Sequence, residues 1–165
     1  MIKKAFSRGV VLAAGLLAVA GTSDPRSVSI QEAVEPADSR LQKVKGYFLQ
    51  RKCPAYRFAA DFIAAADEHK LDWRLLPSLS MIESGGAKQF MNNNMFGWDN
   101  CKQKFRDLRT GIYVVASRLR NSELYKGKDL DGILRTYNPR SGYAQRVKAV
   151  MQQISAHTPE PAAAN

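Results

Sequence analysis

The chain is poor in the side chains that usually build metal and redox centres. Its 165 residues include two cysteines, Cys53 and Cys101, and two histidines, His69 and His157. With no second cysteine pair and no histidine cluster, neither a zinc site nor another cofactor is expected. Also missing are an internal repeat and any apolar–polar alternation long enough for a sheet core. The one long apolar run, "VVLAAGLLAVA", is too short to cross a bilayer. Acidic residues are in deficit, 15 Asp and Glu against 25 Lys and Arg, for a net charge of +10.

That short apolar run follows Lys3, Lys4 and Arg8 and closes on Ala18-Val19-Ala20, the layout of a signal peptide over residues 1–20. An uncleaved anchor is the alternative. Cleavage after Ala20 implies export to the periplasm or medium, with no stable membrane insertion afterwards. With no Cys following, a lipid anchor at that point is not expected. Removing three positive charges and no negative ones leaves +7. A basic surface suits cell wall, anionic lipid or nucleic acid, and in an exported protein nucleic acid ranks last. A simply soluble basic surface is the plainer account. Two cysteines in an oxidising compartment predict a Cys53–Cys101 disulfide.

Residues 21–36 carry no sustained period and read as a linker. Residues 37–156 read as one all-α domain. Leu41, Val44, Tyr47 and Phe48 repeat at helical spacing behind the capping candidates Asp38 and Ser39, and Phe58, Phe62, Ile63 and Ala66 make a second stripe. A third helix is expected over "LDWRLLPSLSMIES", with Asp72 as its cap and Pro77 late enough to bend it. The Gly- and Asn-rich "GGAKQFMNNNMFGWDNCKQKF" suggests an ordered loop or short hairpin. Helical pattern resumes at Ile112, Val115, Ala116 and Leu119, then at Leu130, Ile133 and Leu134, and finally at Tyr143, Val147, Val150, Met151 and Ile154. Residues 157–165 read as a disordered tail, and the protein as a monomer.

Within the third helix, "LSMIESGG" places Glu83 four residues after Leu79 and seven after Leu76, on the apolar face, just before two glycines that stop the helix. Burial and the negative end of the helix both disfavour the charged carboxylate, so Glu83 is expected to stay protonated to a higher pH than a free Glu, as a general acid must. A Glu that snorkels to solvent, or pairs with Arg109 or Arg118, is the bland alternative. The nearby "NNNMFGW" combines amides, a glycine and two aromatics, a mixture that binds sugars through stacking on Trp98 and hydrogen bonds from the amides. Phe96 also suits a core plug, and Asn92, Asn93 and Asn94 suit turns. Tyr137, following Ile133 and Leu134 at helical spacing, reads as core.

In order, "IESGG", "NNMFGW", "FRDLRTGIYVVASRL" and "TYNPRSGYAQRV" resemble the lysozyme-like superfamily that cleaves peptidoglycan glycan strands. The similarity spans about residues 56–156. It is strongest to bacterial endo-β-N-acetylglucosaminidase domains, and shares a Glu-Ser pair and a Tyr-Asn dipeptide with soluble lytic transglycosylases. Carried over, the resemblance makes Glu83 the catalytic acid and Ser84 a residue lining the cleft beside it. Asn94, Phe96 and Gly97 become the loop shaping the groove, with Trp98 and Asn138 beside the sugar. Tyr137 becomes the tyrosine facing the acid, against its reading as core. The "YNPRSGY" stretch departs from the small residues that usually follow Tyr-Asn in transglycosylases.

The implied activity is hydrolysis of the β-1,4 backbone of alternating N-acetylglucosamine and N-acetylmuramic acid. Alternatives are a transglycosylase, in which Glu83 also returns as base to form 1,6-anhydro ends, a non-catalytic wall-binding module, and an anionic-surface binder driven by charge. Most glycosidases use a second carboxylate. Asp99, Asp107, Glu123, Asp129 and Asp131 are candidates, and assistance by the substrate's N-acetyl group removes the need for one.

Overall fold

The computed structural model describes residues 38–158. The expected signal peptide, the expected linker and all but two residues of the expected tail lie outside them. The described chain is mainly α, with six helices and no named strand: α1 (Ser39–Gln50), α2 (Ala59–Glu68), α3 (Leu75–Ser84), α4 (Leu108–Asn121), α5 (Leu130–Tyr137) and α6 (Tyr143–Ala156). Single 3-10 turns at Pro54–Phe58 and Trp98–Cys101 interrupt the connections. None of these helices is long and apolar enough to cross a membrane.

Side-chain caps set half of the helix starts. Asp38 accepts from the Arg40 N–H, Asp107 from Thr110 and Asp129 from Gly132, each satisfying a first-turn donor that has no intrahelical partner. The third helix differs from expectation. Asp72 Oδ1 accepts from the Arg74 N–H at 2.9 Å, and its carboxylate pairs with the Arg74 guanidinium, which makes a turn ahead of the helix rather than a cap. Because α3 starts at Leu75, Pro77 falls in the first turn, where a missing N–H costs nothing and no bend is imposed.

The helices bury one continuous core. Helix α6 packs across α1 and α3, α2 packs on α4, and α5 packs on α6. Tyr47, Phe48, Phe62 and Phe96 form a chain of rings through the middle, with successive centroids 5.5, 6.0 and 6.4 Å apart. Phe96 is fully buried although it lies in the Asn-rich loop, so the loop is nailed to the core by a side chain whose truncation typically costs about 3–5 kcal/mol. At the far end Lys43 Nζ donates to the Ser155 carbonyl at 2.7 Å. His157, assigned to the tail on composition, instead packs on Gly46 of α1, where a Cβ would overlap its imidazole.

Candidate active site

Helix α3 ends abruptly. Gly85 takes the left-handed conformation (φ 62°, ψ 35°), its N–H bonding the Met81 carbonyl at 3.1 Å, while the Gly86 N–H reaches back to Ser80 at 3.0 Å. At Gly86 (φ +68°) a Cβ would lie 2.8 Å from Cys53 Cβ and 3.0 Å from Phe48, so only glycine fits. Ser84 is not a cleft residue. It is 5% exposed, its hydroxyl donates to the Ser80 carbonyl at 2.8 Å, and it accepts from the Ala87 N–H at 3.0 Å, so it fastens the helix end.

The apolar stripe of Leu76 and Leu79 is fully buried, but one turn later it runs out of the core, and Glu83 emerges exposed. The burial expected of this carboxylate is therefore absent. Its position is nonetheless fixed on both sides. The Tyr143 hydroxyl donates to Glu83 Oε1 at 2.5 Å. Oε2 lies against Gly97, where an added Cβ would sit 3.1 Å away. Gly97 has φ +63°, a second reason for glycine at this point.

Tyr143 is the residue that the sequence pattern conceals. Its ring is 1% exposed and belongs to the core face of α6, as its spacing with Val147, Val150 and Ile154 implies, but its hydroxyl reaches out to the acid. Burial, and then the neighbouring Glu83, push its phenol well above the usual tyrosine range, so it stays a proton-bearing donor. Tyr137 stands one ring behind. Its ring stacks on Tyr143 (centroids 6.1 Å, interplanar 11°), and its hydroxyl donates to the Phe96 carbonyl at 2.5 Å, not to Glu83. Burial, with Tyr143 and Glu83 close by, holds this phenol protonated too.

The three asparagines are scaffold rather than sugar-binding amides. Asn92 Nδ2 donates to the Cys101 carbonyl at 2.9 Å. Asn93 Nδ2 donates to Phe105 at 3.1 Å and Arg106 at 3.0 Å. Asn94, 1% exposed, donates to the Trp98 carbonyl at 2.8 Å and to Gln103 at 3.1 Å while accepting from the Trp98 N–H at 3.0 Å. These bonds close the loop on itself and hold the backbone of Trp98, whose ring is half-buried. Trp98 lines a cleft of about 550 Å³ with Gly97, Asp99, Arg118, Tyr125 and Tyr137. Gly97 thus belongs both to the cleft wall and to the seat of Glu83.

Of the candidate second carboxylates, Asp107 and Asp129 are spent as caps and Asp131 pairs with Lys148. Glu123 is exposed on the α4–α5 connection. Asp99 lines the cleft. Asn138 accepts from the Arg140 N–H at 3.1 Å and lines a separate cavity of about 390 Å³ with Asp131, Arg135 and Lys148. Among the described residues no three His, Cys, Asp or Glu side chains converge as metal ligands.

The predicted disulfide is corrected: both cysteines are free. Cys53 is fully buried beneath Gly86, its thiol donating to the Arg51 carbonyl at 3.4 Å. Cys101 is half-exposed at the end of the turn after Trp98, where Asn92 holds its carbonyl.

No protein-family model matches the chain, and no curated protein matches it.

Proposed function

We propose that this protein cleaves the β-1,4-linked glycan backbone of peptidoglycan, with Glu83 as general acid. One observation carries the reading: an exposed carboxylate at a stopped helix end, fixed by a buried tyrosine and seated against Gly97, which also lines the cleft walled by Trp98, Tyr125 and Tyr137. The wall mixes aromatic rings with the polar Asp99, Asn100, Arg118 and Thr136, and a pyranose uses both, ring faces for its C–H surface and polar groups for its hydroxyls, with one placed acid nearby for the scissile oxygen. The resemblance of the four motifs to lysozyme-like enzymes supports the same chemistry, and the basic surface suits a polyanionic wall. Export to the periplasm or medium is part of the proposal.

In the reaction Glu83 delivers its proton to the glycosidic oxygen as that bond breaks. The carboxyl carries no charge before transfer and a full one after it, so a donor aimed at Oε1 stabilises the transition state more than the ground state. Tyr143 is that donor. The oxocarbenium-like sugar is then captured either by water, whose proton passes to Asp99, or by the carbonyl oxygen of the substrate's own N-acetyl group, giving an oxazolinium that water opens as the Glu83 carboxylate takes the proton back.

The test is mass analysis of fragments released from purified sacculi. Glu83→Gln, matched in shape but without a proton to give, should lose a hundred- to ten-thousandfold in rate. Reducing-end products identify the hydrolase and 1,6-anhydro ends the transglycosylase. Wild-type turnover by Glu83→Gln overturns the assignment.

A further inference from the structure

The cleft also holds a cation. Arg118, on the cleft-facing side of α4, places its guanidinium carbon 5.7 Å from the centroid of the Trp98 ring. Its Nη2 donates to Gln103 Oε1 at 3.3 Å, and the Gln103 carbonyl is held in turn by Asn94 Nδ2 at 3.1 Å. The arm is therefore braced by the same amide network that fixes the loop. Among the described residues, no carboxylate comes within ion-pair distance of Arg118, and Gln103 is its side chain's one hydrogen-bond acceptor. Asp99 lines the same cleft without pairing to it. A guanidinium has five N–H donors in a planar fork that matches a carboxylate, so most of its donors remain free in a concave, half-buried place.

Beside it lies the platform. Trp98 is flanked by Tyr125 (centroids 5.8 Å, interplanar 39°) and Tyr137 (5.8 Å, 70°). Aromatic faces select the flat C–H side of a sugar, and the free fork selects an anion. Together they define one ligand chemistry. We propose that Arg118 is a specificity-determining residue, pairing with the carboxylate of an acidic sugar seated on Trp98. Within peptidoglycan that is the lactyl carboxylate of N-acetylmuramic acid, where it is not blocked by a peptide. This rests on the glycan-cleaving reading and adds to it which sugar lies on the Gly97–Trp98 side of the acid.

Trp73 and Trp98 are the only tryptophans, so a Trp73→Phe, Glu83→Gln chain reports on the cleft by fluorescence without turning ligand over. The probes are an N-acetylglucosamine–N-acetylmuramic acid tetrasaccharide with free lactyl carboxylates and the neutral tetramer of N-acetylglucosamine. The acidic tetrasaccharide should bind about tenfold more tightly, a margin ordinary for one charge-assisted fork. The preference should shrink as salt is raised. Arg118→Gln should cut it to within twofold by weakening the acidic tetrasaccharide more than the neutral tetramer, and Arg118→Lys, which keeps the charge but loses the fork, should fall between. Equal binding of the two probes, or equal weakening of both by Arg118→Gln, overturns the role of Arg118 and leaves the glycan reading standing. Binding of neither probe overturns both.

Discussion

Replacing Tyr143 by Phe tests the proposed site most directly, because the structure separates what the ring does from what the hydroxyl does. The ring is 1% exposed and lies against Tyr137, so Phe fills the same volume and opens no cavity. What is lost is one 2.5 Å hydrogen bond to Glu83. Bonds to charged groups are worth roughly 1.5–3 kcal/mol, an upper bound here because Glu83 is exposed and water replaces the missing donor. The fold should lose about 1 kcal/mol or less, a melting shift of a few degrees. Turnover should suffer more. The lost donor acts on charge that grows as the proton leaves, so kcat on sacculi should fall about ten- to a hundredfold with little change in KM. Tyr137→Phe supplies the contrast. It strips the partner from the Phe96 carbonyl beneath the loop, which should cost about 1–3 kcal/mol of stability. Full activity in Tyr143→Phe, or a melting loss larger than that of Tyr137→Phe, would refute the placement of Tyr143 as the acid's partner.

Three further outcomes follow from the packing and charge. Gly86→Ala must strain a left-handed residue and push a methyl onto Cys53 and Phe48, so thermal or denaturant unfolding should show a loss of about 2–4 kcal/mol. Thiol titration of the non-reduced protein should find two reactive groups per chain after denaturation, Cys101 reacting in the native state and Cys53 only on unfolding. The Thr110 backbone N–H and hydroxyl, and then Arg106, hold the Asp107 carboxyl down to about 2. A depressed carboxyl stabilises the fold above its unfolded pKa of about 3.9 and loses that contribution as pH falls through its folded value. Wild type should therefore exceed Asp107→Ala in stability by its full margin above about pH 4, the charge-dependent part of that margin closing towards pH 2 in acid unfolding curves.

Which of these features could be read from sequence depended on the distance over which each side chain acts. Asp38, Asp107 and Asp129 bond donors two or three residues away, so a local pattern discloses them as caps. Asp72 resembles them but spends its carboxylate on Arg74, and its helix begins a residue later. The asparagine run announced an ordered loop, but which carbonyls its amides hold, up to thirteen residues downstream, depends on how the loop folds back. Glu83 was conspicuous because a charge on an apolar stripe breaks the pattern. Its exposure lies beyond the pattern because periodicity cannot show where a core ends. Tyr143 reads as core for the opposite reason: it obeys the pattern, and only its oxygen atom leaves the core. The cysteines were paired by count, and a count carries no information about which way Cys53 faces.

The contact between Glu83 and Tyr143 joins residues sixty apart in sequence, and Tyr143 is the first residue of the last helix. The acid is therefore made early and its partner late. A chain emerging from the ribosome, or any form in which α6 has not yet docked on α1 and α3, holds a carboxylate with no phenol beside it. Completion of the site is tied to completion of the fold. Damage that loosens the C-terminal helix, even at its far end where His157 rests on Gly46, would switch off the proposed chemistry before the rest of the domain unravels.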